Sequence, residues 1–212
     1  SAPAALVIAK VILPESEESP TAGGVEMKVE SDCANVIDAA ARGAGDGLKL
    51  ALNVAAMLLA FLALIALINY LIGLPILGYN AMVGHEALEP WTLQQILGYV
   101  FWPVAFLMGV SPADCTQVAT LLGEKMVLNE FVAFLHLGDI LTSGEGMSYR
   151  STVISTYALC GFANFGSIAI QIGGIGGIAP ERRSDLAKIG LRAMVGGTLA
   201  ACMTATVAGM LI

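Results

Sequence analysis

The chain is built from long uncharged apolar blocks set apart by short polar or acidic interruptions. Residues 1–13 are apolar and are stopped by Pro14 and an acidic loop. At about 1.5 Å per residue that block is too short to cross a bilayer, so it reads as the tail of a spanning helix. A capping signal at Ser31-Asp32 opens a second helix, 32–74. Its first part, 36–49, is small and polar, and from 50 onwards it turns rich in Leu, Ala and Ile and stays uncharged past 72. That is long enough to cross a hydrocarbon core of about 30 Å, and Pro75 and Gly78 close it. Residues 91–109 mix apolar positions with Trp91, Gln94, Gln95, Tyr99 and Trp102, which predicts an interfacial helix, with a core-spanning helix as the alternative.

The next two blocks are interrupted at mid-depth. Residues 111–140 hold Asp114, Glu124, Lys125, Glu130 and Asp139, too polar to face lipid, yet 118–122 and 131–137 are apolar. Two short helices meeting near Asn129 satisfy both facts, which is a re-entrant hairpin that must line a cavity or pack on protein. Residues 148–178 carry Gly161, Asn164, Gly166 and Ser167 in the middle of an uncharged stretch, which predicts a broken span. The final span is 184–212, where Gly197, Ala201, Ala205 and Gly209 recur every fourth residue as a packing stripe.

Composition points the same way. Hydrophobic residues make up 57 % of the 212, charged residues 13 %, and mean hydropathy is +0.78. A soluble domain carries about 25 % charged residues. The fold class is therefore an all-α membrane protein, a multi-span helical bundle with a re-entrant hairpin and a discontinuous helix. The net charge of −7 excludes a basic face for nucleic acid, and its acidic excess gathers around Glu15, Glu17, Glu18, Glu26, Glu30 and Asp32, read as a solvated connector. Cys33, Cys115, Cys160 and Cys202 show no C-x-x-C spacing, and His85 and His136 are isolated, so neither disulfides nor a metal site is expected. Arg182, Arg183, Lys188 and Arg192 cluster between the last two spans, which makes that loop cytoplasmic by the positive-inside rule. There is no cleavable signal and no initiator Met, and the chain opens inside an apolar helix, so the expectation is the C-terminal portion of something longer, in the inner (cytoplasmic) membrane.

Glu130 is the residue on which function turns. A carboxylate at mid-membrane depth costs roughly 2.5 to 3.5 kcal/mol and persists only where it faces a cavity and has partners. With Asn129 beside it, and Phe162, Asn164 and Ser167 at the broken span, the two breaks offer a carboxylate, two amides, a hydroxyl and a ring. That set suits a small polyol bearing a flat group: hydroxyls bond to the charged and amide groups, and Phe162 offers a stacking face. Each residue also has a plainer reading. Asn129 could only cap the hairpin's second helix, Ser167 could back-bond to its own helix, Phe162 could be core, and Glu130 could form a structural ion pair with Lys125.

Residues 123–134 fit the pattern G-x-K-x-x-x-N-E-F-V-A followed by an aromatic, without a mismatch. This resembles the signature of the concentrative nucleoside transporter family, and the likeness continues at Gly161-Phe162-Ala163-Asn164 and at Ser1-Ala2-Pro3-Ala4. The resemblance implies one half of an inverted-repeat, elevator-type transporter that assembles as a homotrimer and takes up nucleosides by alternating access, driven by sodium or protons. It implies that Glu130, Asn164 and Ser167 hold the ribose and that Phe162 contacts the base. Gly166 departs from the Ser expected there, while Ser167 is retained. The family's first hairpin, with its G-Q-T-E-type motif, is absent from these residues, so the coupling ion is expected to bind mainly in a missing N-terminal half, a partner this segment needs.

Other classes stand beside that reading. A cation channel would line its pathway with a ring of Glu130 carboxylates. An enzyme would need a nucleophile beside a base, and His136 has no Ser or Cys at a recognisable spacing. Gly174, Gly176 and Ala179 fit the dinucleotide pattern G-x-G-x-x-A, but no strand precedes them and no acidic residue follows at the required distance, so they read as a tightly packed helix exit.

Overall fold

The computed structural model describes residues 1–16, 33–84, 88–143 and 146–212. Over these residues the chain forms α1 (Ala2–Ile12), α2 (Val36–Val83), α3 (Leu93–Leu107), α4 (Cys115–Val127), α5 (Glu130–Thr142), α6 (Tyr149–Leu159), α7 (Phe165–Ile178) and α8 (Arg183–Met210), with a 3-10 turn at Pro180–Arg182. No strand occurs among the described residues. Apart from Glu15, the acidic residues of the first loop lie outside them, as does His85.

The second helix differs from expectation at both ends. Ser31 and Asp32 are outside the described residues, and the cap is Asn35, whose side chain accepts the Asp38 N–H at 2.9 Å. The helix does not stop at 74. It runs through Pro75 and Gly78 to Val83 and ends at Gly84, which adopts φ 77°. Proline removes one ladder bond and crowds the preceding turn, but a helix that continues for two turns beyond it keeps all its other backbone bonds inside the segment, as an apolar setting demands. Left-handed Gly84 terminates it instead, its N–H returning to the Asn80 carbonyl.

Small residues and single polar contacts set the packing. The Asn69 side chain accepts the Leu93 N–H at 2.8 Å and donates to Gln94 at 3.1 Å, joining α2 to the start of α3. Thr92 and Gln95 form a capping box there. Gly123 of α4 lies against the α3 backbone so closely that a Cβ would stand 2.6 Å from the Gln94 carbonyl oxygen. Asp114, at the head of α4, accepts both the N–H and the hydroxyl of Ser148, the cap of α6, at 3.2 and 2.9 Å. The predicted stripe on α8 is a true contact face: Gly197 meets Ala163, Ala201 meets Gly161, and Gly209 meets Ile154. An adjoining face of α8 receives α1, with Ile8 and Ile12 against Gly196.

The core gathers under α3, α4, α6 and α8, where Ala105, Cys115, Ile154, Ala158 and Ala205 are fully enclosed. Among the described residues two helices are long and apolar enough to cross a membrane, Leu62–Val83 and Pro180–Met210. Of the most apolar 18 residues of the first, only 11 % are buried by the rest of the chain. The Gly174–Ala179 segment is the end of α7 and its cap, with no strand before it among the described residues.

Candidate functional site

Two interruptions come together at the centre of the bundle. The first is the tip of the α4–α5 hairpin. α4 ends at Val127, and after Leu128 the chain turns into α5 through Asn129, whose extended backbone (φ −167°, ψ 171°) and side chain cap the new helix by accepting the Val132 N–H at 3.0 Å. Glu130 is the first residue of α5, so its carboxylate stands where the helix presents unpaired N–H groups and a partial positive charge. The arms fold back on each other: Glu124 of α4 holds His136 of α5 through Nδ1 at 2.8 Å. This contact had no signal in the sequence, because the two residues become neighbours only once the hairpin closes.

The second interruption separates α6 from α7. The backbone leaves helical geometry after Leu159, and tight turns carry it past Gly161 and Ala163. Asn164 then caps α7, again extended (φ −143°, ψ 171°). Its side-chain oxygen accepts the Ser167 N–H at 2.7 Å, while the Ser167 hydroxyl accepts the Asn164 N–H at 3.1 Å and donates to the Asn164 carbonyl at 2.6 Å. The spacing Asn-x-x-Ser carried this reciprocal cap as a readable signal.

The two interruptions touch through Asn164 Nδ2, which donates to Glu130 Oε2 at 3.4 Å, the long end of the hydrogen-bond range. Four of the five expected site residues are thus engaged: Asn129 and Asn164 cap helices, Asn164 reaches Glu130, and Ser167 bonds back to its own cap. Asn164 and Ser167 are buried, and Glu130 and Asn129 half-buried. Phe162 is not core: its ring is 50 % exposed. With Ser167 it lines a cavity of about 290 Å³ between α7 and α8, which Gln171 and Met194 also line. That volume is at the small end of ligand pockets, roughly 300 to 1,000 Å³. Gln171 follows Ser167 by one helical turn and shares its face, a position that sequence reasoning could have named. Glu130 does not line this cavity, so the carboxylate and the ring flank the Asn164–Ser167 cap from different sides.

Lys125 does not pair with Glu130. Its ammonium, on a residue only 2 % exposed, donates to the Ala158 carbonyl at 2.8 Å, and the ion pairs of the described residues do not include it. A larger groove of about 600 Å³ between α1 and α8 is lined mainly by apolar side chains and shares Ile189, Ala193 and Gly197 with the smaller cavity.

Comparison with known proteins places this geometry. Residues 1–209 match the family model described as the C-terminus of the Na⁺-dependent nucleoside transporters. The chain is 50 % identical over 213 residues to the uncharacterized transporter YutK of Bacillus subtilis, covering all of this chain and 50 % of that protein. It is 43 % identical over 224 residues to sodium/nucleoside cotransporter 1 of Mus musculus, covering all of this chain and 34 % of that one. A solved structure of a CNTnw variant in an intermediate state superposes with a TM-score of 0.80 at 42 % identity, over the whole of this chain and 49 % of the other. The chain therefore spans half the length or less of the relatives it matches. With the hairpin, the broken helix and the match all in hand, the chain belongs to the sodium-dependent nucleoside transporter family, as a helical membrane protein corresponding to that family's C-terminal part.

Proposed function

We propose that this chain supplies the ribose-binding half of a nucleoside transporter that works by alternating access. The observation that carries the reading is the meeting of Glu130 and Asn164 at two helix breaks. A charged acceptor beside an amide, both held by their own helix caps, is a preorganised place for vicinal hydroxyls. Phe162, half-exposed on the cavity that Ser167 also lines, offers a flat face for a base. Asn129 stands next to the carboxylate and orients it by capping α5.

Family membership supports nucleosides as the cargo, and similarity to a sodium/nucleoside cotransporter supports sodium as the coupling ion. On this reading the ion, sodium or proton, is co-transported and bound mainly by residues of an N-terminal half that completes the site. The full protein sits in the cytoplasmic membrane as a homotrimer, and its role is carriage rather than catalysis. The test is uptake of labelled uridine and adenosine into vesicles holding the full-length protein, with and without an inward sodium or proton gradient. Saturable, gradient-driven uptake is expected. Ohmic ion conductance without saturable nucleoside uptake overturns the reading and leaves Glu130 as a channel residue.

A further inference from the structure

Two half-helices end close to each other, and an ammonium carried by the last turn of one reaches a carbonyl in the last turn of the other. α4 finishes at Val127 and α6 at Leu159. Each leaves carbonyl groups without intrahelical partners and a partial negative charge of about half an electron. Lys125 lies in the last turn of α4, is 2 % exposed, and sends its Nζ to the Ala158 carbonyl in the last turn of α6 at 2.8 Å. Gly161 lies beside it: a Cβ there would stand in ordinary contact, 3.5 Å from the Nζ. In membrane transporters such half-helix carboxyl ends are places where a free cation is coordinated.

We propose that the Lys125 ammonium is a tethered cation that fills such a place, making Lys125 a positioning residue for the break that carries Phe162 and Asn164. The carbonyl ends of α4 and α6 would repel across an apolar gap without a positive group, and the hairpin would draw away from the broken span. Glu130 and Asn164 would then separate, although Lys125 makes no hydrogen bond or ion pair with either. The second half of this inference rests on the ribose-site reading; the placement of the cation does not.

The experiment is chemical rescue in the full-length protein. Lys125→Ala removes three methylenes and the ammonium, a volume matched by propylammonium. Lys125→Met keeps the stem and removes only the charge. Both variants are expected to melt below wild type in detergent and to raise the KM for uridine at least tenfold. Millimolar propylammonium, but not propanol, should raise the melting temperature of Lys125→Ala and lower its KM. It should leave Lys125→Met unchanged, because the Met tail occupies the space. The melt needs no substrate, so it tests the cation's placement even if the wild-type protein carries no nucleoside. A wild-type melt and KM in Lys125→Met, or a Lys125→Ala protein that propanol stabilises as well as propylammonium does, overturns the proposal.

Discussion

Asn164 accepts the Ser167 N–H on its side-chain oxygen and donates its side-chain N–H to Glu130, so one amide both starts α7 and fastens the helix break to the hairpin. The two halves of this amide can be separated by mutation. Asn164→Asp keeps an excellent cap, since Asp serves at that position as well as Asn. It replaces the donor with a carboxylate facing Glu130. The expected result is a folded protein with strongly weakened nucleoside binding, partly restored in the double variant with Glu130→Gln, where the repulsion is gone. A double-mutant cycle on binding affinity reads this directly. Additive losses in the cycle would mean that the two side chains do not act together.

Glu130→Gln alone keeps the shape and removes the charge. Losing charge assistance to the cargo's hydroxyls should cost about 1.5 to 3 kcal/mol, or roughly a ten- to hundredfold loss of nucleoside affinity. Affinity equal to wild type at normal expression would remove Glu130 from the sugar site.

Ser167 presents a different case, because its hydroxyl is already bonded at both ends to Asn164. Ser167→Ala leaves the Asn164 cap in place and should lower stability by about 0.5 to 1.5 kcal/mol through the hydroxyl's lost bonds to Asn164. If the hydroxyl also exchanges its bonds for the ribose, the variant should lose discrimination between ribo- and deoxyribonucleosides. Phe162→Ala should instead weaken all nucleosides alike. Competition of uridine by deoxyuridine in the two variants tells these effects apart.

Gly123→Ala tests the packing of the hairpin against α3. The added methyl would stand 2.6 Å from the Gln94 carbonyl oxygen and 3.0 Å from the Gly98 nitrogen, both backbone atoms that no rotamer change can move. Overpacking of this kind costs about 1 to 3 kcal/mol. A clear fall in melting temperature is expected, whereas Gly138→Ala, where nothing lies within 4 Å, should be neutral or slightly stabilising.

The orientation expected from Arg182, Arg183, Lys188 and Arg192, which lie at the 3-10 turn and along the start of α8, can be read by labelling. In a background without the four native cysteines, Ser184→Cys should react with an impermeant reagent only from the cytoplasm and Gly146→Cys only from outside. Gly146 is the better outer probe than Ser148, whose hydroxyl holds Asp114. Reaction at position 184 in intact cells would reverse the orientation.

What the sequence revealed was what local chemistry governs. Asn129 was readable as a helix cap and Asn164 as part of a break in an apolar block, and both cap helices. The Gly197 to Gly209 stripe signalled a close neighbour, although not that the neighbour would be α6 and the break beside it. Pro75 misled, because a proline's local cost does not say whether the helix resumes beyond it. Lys125 was legible as a charge and illegible as a contact: its partner is a backbone carbonyl 33 residues away, and carbonyls leave no trace in a sequence. Glu124 and His136 were equally silent until the hairpin brought them together.

The four half-helix ends at this centre carry a consequence for what the site can attract. The amino ends of α5 and α7 face Glu130, one by containing it and the other through Asn164. The carboxyl ends of α4 and α6 face Lys125. Each end is worth about half an elementary charge, so the two positive ends offset the carboxylate and the two negative ends offset the ammonium. Seen from a distance of several ångströms the assembly is close to electroneutral, though it is strongly polar at contact range. Such a site exerts little long-range pull on ions of either sign, and it rewards an uncharged solute that can lay hydroxyls and an aromatic plane directly against it.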